Sequence, residues 1–220
     1  MKPTSSQGPF QASTFTDVLI VIVTLALLAA LFLPALVRPK TRSSRASCVS
    51  NLKQISLAFR MWSNDHNDSF PWKVSTNQGG SQEYSRSGEV FRHFQAVSNE
   101  LNSPKILKCP SDTRRSRAVF FTNFSNQNIS YFIQLDSNEA RPSTLLTGDR
   151  NLSLDGVEVK TPMVAWTANK ALGWTKEMHK HAGNLGLSDG SVSQETEQSL
   201  TKALRDSGIP TNYFAVPVVP

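Results

Sequence analysis

Cysteine, tyrosine and methionine are scarce, at two, three and four among 220 residues. Two cysteines exclude a disulfide-dense scaffold and a four-cysteine zinc module, and allow one bridge at most. The chain has no Cys-x-x-Cys, no Gly-x-Ser-x-Gly and no glycine-rich phosphate loop. Thioredoxin-type, hydrolase-type and nucleotide-binding chemistry therefore find no motif here. Acid is nearly missing from the start. Residues 1–60 hold one acidic side chain, Asp17, against seven basic ones. Residues 61–220 hold sixteen of each, so the net +6 belongs wholly to the first sixty residues. A nucleic-acid partner would need a basic face on the folded part, and net charge offers none. The run Arg114-Arg115-Ser116-Arg117 is the one local exception and reads as a solvated loop.

Charge is also absent from residues 18–37. Twenty helical residues at about 1.5 Å each span roughly 30 Å, the hydrocarbon thickness of a bilayer. The expectation is a transmembrane segment over 13–37. A cleaved secretory signal has a shorter apolar run ending in small residues, whereas Arg38, Lys40, Arg42 and Arg45 follow this one. That basic flank is attracted to anionic lipid at about 1 kcal/mol per residue. Taken alone, the positive-inside rule would leave 38–220 in the cytoplasm.

The flanks carry a resemblance. Ala12-Ser13-Thr14-Phe15-Thr16-Asp17-Val18-Leu19-Ile20-Val21-Ile22, with Pro34 further on, resembles the start of a type IV prepilin or type II secretion pseudopilin. The resemblance implies a leader over 1–12, cut after Ala12 by a prepilin peptidase, with Ser13 methylated as the new N-terminus. Asp17 then holds the place of the family's usual Glu, with an assembly role toward a neighbouring subunit's terminal amine. Pro34 is the expected helix kink, since it removes a backbone donor. The family usually has Gly before the cut and Phe after it, so Ala12, Ser13 and Asp17 all depart from the pattern. Further along, Cys109-Pro110-Ser111-Asp112, Leu145-Leu146-Thr147-Gly148-Asp149-Arg150-Asn151 and a His-x9-Asp-Gly spacing (His179, Asp189, Gly190) resemble a bacterial pseudopilin-like family. The resemblance places the anchor in a bacterial inner membrane and the C-terminal domain in the periplasm or beyond.

The rest follows from pattern. Cys48, Leu52, Ile55, Phe59 and Trp62 recur at spacings of four and three, one face of a helix. This predicts an amphipathic continuation over 38–68, ended by the polar cluster at 63–68 and Pro71. Residues 69–220 read as one mainly β domain, with strands near 130–133, 143–147, 163–167 and 183–188. Asp189-Gly190 predicts a two-residue hairpin turn. A short helix is expected over 195–207 and an extended tail over 209–220. The expected class is α+β and pilin-like: a long N-terminal helix, membrane-spanning in its first half, packed on an antiparallel sheet.

Given export, Cys48 and Cys109 are a candidate disulfide; two buried free thiols are the alternative. His179 and His181 precede a strand and read as exposed, without a third ligand at matching spacing. No metal, cofactor or catalysis is expected. The function expected is a structural pseudopilin subunit of a type II secretion or related envelope filament. Its partners would be prepilin peptidase, other pilin-like subunits and the lipid bilayer. The alternative is a permanently membrane-anchored envelope enzyme or ligand- or metal-binding domain, with His179, Asp149 and Asp189 lining its site.

Overall fold

The computed structural model describes residues 15–37 and 39–219, without the side chains of 31–42. The chain divides into two units, Met1–Arg42 and Ser43–Pro220. Ala12 and Ser13 lie outside the described residues.

Helix α1 runs over Phe15–Val37. Its backbone is helical through Pro34, whose side chain lies outside the described residues. All side chains of residues 15–30 are exposed, with Leu25 at 59% and Leu27 at 62%. The expected membrane span is corrected here. Among the described residues, no helix is long and apolar enough to cross a membrane. Thr16, Asp17 and Thr24 interrupt its apolar side chains.

Helix α2 covers Pro39–Asn64. The five apolar stripe positions are all buried: Cys48, Leu52, Ile55 and Phe59 at 0% and Trp62 at 4%. Burying a side chain such as Phe59 contributes about 1.5–3 kcal/mol. The helix ends in a polar turn where Asn67 and Asp68 take positive φ, and His66 stacks on Trp62.

Residues 70–128 contain short 3-10 turns and two short helices, α3 (Phe91–Ala96) and α4 (Ser98–Leu101), rather than strands. Nine strands follow: β1 (Tyr131–Gln134), β2 (Leu145–Asp149), β3 (Leu152–Leu154), β4 (Val157–Glu158), β5 (Met163–Thr167), β6 (Leu172–Trp174), β7 (Gly183–Leu187), β8 (Val192–Glu195) and β9 (Thr211–Ala215). Six form an antiparallel sheet in the order β5-β9-β1-β2-β7-β8, and three form a smaller one, β4-β3-β6. Helix α5 (Glu197–Asp206) starts at a capping box between Thr196 and Ser199. The described fold is α+β with antiparallel sheets.

The central strands β1, β2 and β7 of the larger sheet are buried on both faces. Tyr131, Ile133 and Ala215 belong to the core cluster that includes the α2 stripe. Phe132 and Phe214, their alternating neighbours, belong to a second cluster with Trp166, Trp174, Leu200 and Leu204. The period-two alternation of a strand divides the two cores. Helix α2 approaches β7 closely, because a Cβ at Gly186 would stand 2.7 Å from Ser56 Oγ.

Two expectations change at the C-terminal end. The β7–β8 turn holds three residues, 188–190, because Leu187 N–H donates to Ser191 O (2.9 Å). Gly190 takes the left-handed position there, at φ +86°. The expected extended tail contains β9, which lies between β5 and β1 within the larger sheet.

Candidate functional site

The polar cluster of greatest chemical interest lies under α2, inside the second unit. Cys48 on α2 and Cys109 are joined by a disulfide, with Cα atoms 5.1 Å apart. Both are fully buried. His179 Nε2 stands 3.5 Å from Cys109 Sγ, 3.3 Å from Asp149 Oδ2 and 3.2 Å from Asn184 Nδ2.

Each group is held by a different element. Asp149 closes β2 and pairs with Tyr131, which puts it on the face toward α2. Its Oδ2 accepts from the Asn184 backbone N–H (2.7 Å) and side-chain Nδ2 (2.9 Å). Its Oδ1 is buried and has no hydrogen-bond partner among the described residues, and the same holds for Asn184 Oδ1. Such atoms are rare in native interiors because an unpaired buried polar group costs about 1–3 kcal/mol.

His179 comes from the irregular segment between β6 and β7. Met178, Lys180 and His181 all have positive φ, at 59°, 56° and 60°. Non-glycine residues there carry backbone strain, which tertiary contacts must hold. Asn151 supplies them. Its Nδ2 donates to three carbonyls of the segment, Thr175 O (3.2 Å), Glu177 O (2.9 Å) and Ala182 O (3.4 Å). The tight segment turns His179 inward to 8% exposure.

A charged lattice flanks this cluster. Arg150 grips Asp112 with two hydrogen bonds, Nε to Oδ2 (2.7 Å) and Nη2 to Oδ1 (2.8 Å), and Nη2 also reaches Glu177 (3.4 Å). Arg114 pairs with Glu158 (2.8 Å) and with Glu177. Arg150 and Asn151 also line a surface cavity of about 340 Å³ with Arg114, Arg115, Lys160 and the chain end near Pro217.

The environment moves the titrating groups. Burial pushes the Asp149 carboxyl up to about 7, against hydrogen bonds from Asn184 and the positive charge of Arg45. Burial, aided by Arg45, pushes His179 down to about 4. Burial opposes ionisation of Asp112, but the hydrogen bonds and charge of Arg150 hold its carboxyl below the usual range. At neutral pH His179 is therefore an uncharged imidazole, and Nε2 with its lone pair can accept from Asn184 Nδ2.

The three motifs read separately from the sequence converge here. Cys109 and Asp112 come from one, Asp149, Arg150 and Asn151 from the second, and His179 from the third. Asp189 does not join them. Its Oδ1 accepts from Ser191 N–H (2.8 Å) in the exposed turn, and its carbonyl accepts from Arg60 of α2 (2.8 Å). The Asp189-Gly190 half of the signature thus serves the turn and its contact with α2. His179 is buried where an exposed residue was expected. Asn184 and Arg45 were not anticipated. The signal for Asn184 was present: Leu145 and Leu146 are adjacent and apolar, which marks a sheet buried on both faces. A polar residue inside a neighbouring strand must then be buried and bonded.

No family model matches this chain, and no curated protein or solved structure shows significant similarity to it.

Proposed function

We propose that the chain is a non-enzymatic, pilin-like structural subunit of a type II secretion or related envelope filament, exported and processed by a prepilin peptidase. The observation that carries this reading is α1, whose described side chains are exposed and mostly apolar on every side of the helix. Large exposed apolar surfaces mark interaction sites. A one-sided stripe would fit a groove, whereas a helix apolar all round fits a position surrounded by other apolar helices. Copies of α1 from neighbouring subunits provide such surroundings in a filament. The disulfide between Cys48 and Cys109 supports an oxidising compartment for the domain. The cluster around His179 is closed to solvent, which favours a structural role over turnover of a substrate.

Intact-mass measurement of the protein from its native host tests the reading. The expected mass lacks residues 1–12 and carries one methyl group on Ser13. A chain that begins at Met1, or that is cut beyond Leu36, overturns it.

A further inference from the structure

We propose that, when its disulfide is reduced, the chain binds one zinc ion through Cys48, Cys109 and His179. The three side chains offer two Sγ and one Nε2, all within 4.8 Å of one another. Two thiolates and an imidazole, completed by a fourth donor, are a zinc donor set.

The geometry matches a tetrahedral ion at one edge. Zinc–sulfur distances of about 2.3 Å and zinc–nitrogen distances of about 2.0–2.1 Å set a sulfur–nitrogen edge of about 3.5 Å. The separation of Cys109 Sγ from His179 Nε2 is 3.5 Å. The two sulfurs must part to about 3.7 Å, which rotation about their Cα–Cβ bonds supplies once the bond is broken.

A second observation points to a ligand independently of the cysteines. Asp149 is fully buried, yet Oδ1 has no partner among the described residues. A metal ion with a bound water nearby would give that oxygen a partner. The supporting residues are already in place. Asn184 fixes the carboxylate through two hydrogen bonds, and Asn151 fixes the segment that carries His179. Outer hydrogen bonds of this kind orient metal ligands.

The chemistry balances simply. A dithiol attacks the Cys48–Cys109 bond, delivers two electrons and two protons, and itself closes to a disulfide. Two thiols result. Zinc then displaces both thiol protons, and its two charges are matched by the two thiolates. A small-molecule disulfide takes the two electrons by thiol–disulfide exchange and leaves as its two thiols, which restores the bridge and releases the ion. The same trio thus holds α2 to the domain in either redox state, by a covalent bond or by a metal.

The test uses the purified full-length chain, oxidised or reduced with a phosphine in metal-free buffer, titrated with Zn²⁺ and in parallel with Co²⁺. The reduced chain is expected to take one equivalent of zinc and to melt at a higher temperature with it. Cobalt should give the intense visible bands of a tetrahedral site and a thiolate charge-transfer band. The oxidised chain should take none. His179→Gln, confirmed as folded by its melting before reduction, should bind at least about tenfold more weakly. Cys109→Ser should lose most of the charge-transfer intensity. Absence of stoichiometric binding by the reduced chain overturns the proposal, as does zinc that binds without raising the melting temperature. Unchanged affinity in His179→Gln overturns it too. None of these outcomes bears on filament assembly, which is read from the N-terminus and from α1.

Discussion

Asp149 and His179 are adjacent buried groups whose proton affinities move in opposite directions, and stability should record both. The folded chain holds the Asp149 proton up to a pH of about 7, whereas the unfolded chain releases it near 4. Between those values the folded state binds more protons, so this contribution falls as pH rises. His179 is neutral when folded above about 4, while the unfolded chain stays protonated to about 6.5. Its contribution therefore rises with pH over about 4 to 6.5, and the two oppose each other. Asp149→Asn removes the falling part. Relative to wild type, the variant should gain stability as pH rises from about 4.5 to 7, by at most about 1.4 kcal/mol per pH unit. Urea unfolding at the two pH values measures this. A difference independent of pH would mean that the Asp149 carboxyl is not perturbed by its burial.

Among the elements, α2 and β9 show what a sequence makes visible. The α2 stripe was legible because Cys48, Leu52, Ile55, Phe59 and Trp62 face one core and the helix period displays them. Strand β9 was not. Pro210 and Pro217 bracket it, and Asn212 occupies a buried position that pattern reasoning assigns to an apolar residue. Asn212 satisfies itself there by pairing with Gln134 across the β1–β9 seam. His179 was illegible for a different reason. Its burial depends on three consecutive-region residues with positive φ held by Asn151, a distant side chain that no local pattern announces. The disulfide is the other device at this scale, tying α2 to the segment at Cys109 across 61 positions. Closing a loop of that length contributes about 4 kcal/mol in the chain-entropy picture. Cys109→Ser should lower stability by an amount of that order, measured by non-reducing thermal or urea unfolding. A loss under about 1 kcal/mol would show that core packing alone holds the helix in place.

At the scale of the whole molecule, the two units have opposite characters. The second unit, Ser43–Pro220, closes its apolar residues into two clusters on either face of one sheet. The first, Met1–Arg42, offers in α1 apolar side chains that are exposed over the described residues 15–30. That contrast is expected of a subunit that completes its folding surface by assembly. It also explains why the buried His179 cluster and the exposed helix call for separate tests. The most direct one is a photo-activatable residue at Leu25, which is 59% exposed on α1, irradiated in cells of the native host. The pilin-like reading predicts a ladder of adducts between copies of this chain or with other pilin-like subunits, and a weaker ladder in Asp17→Ala at matched expression. Adducts confined to lipid or absent altogether, with Asp17→Ala indistinguishable from wild type, would contradict it.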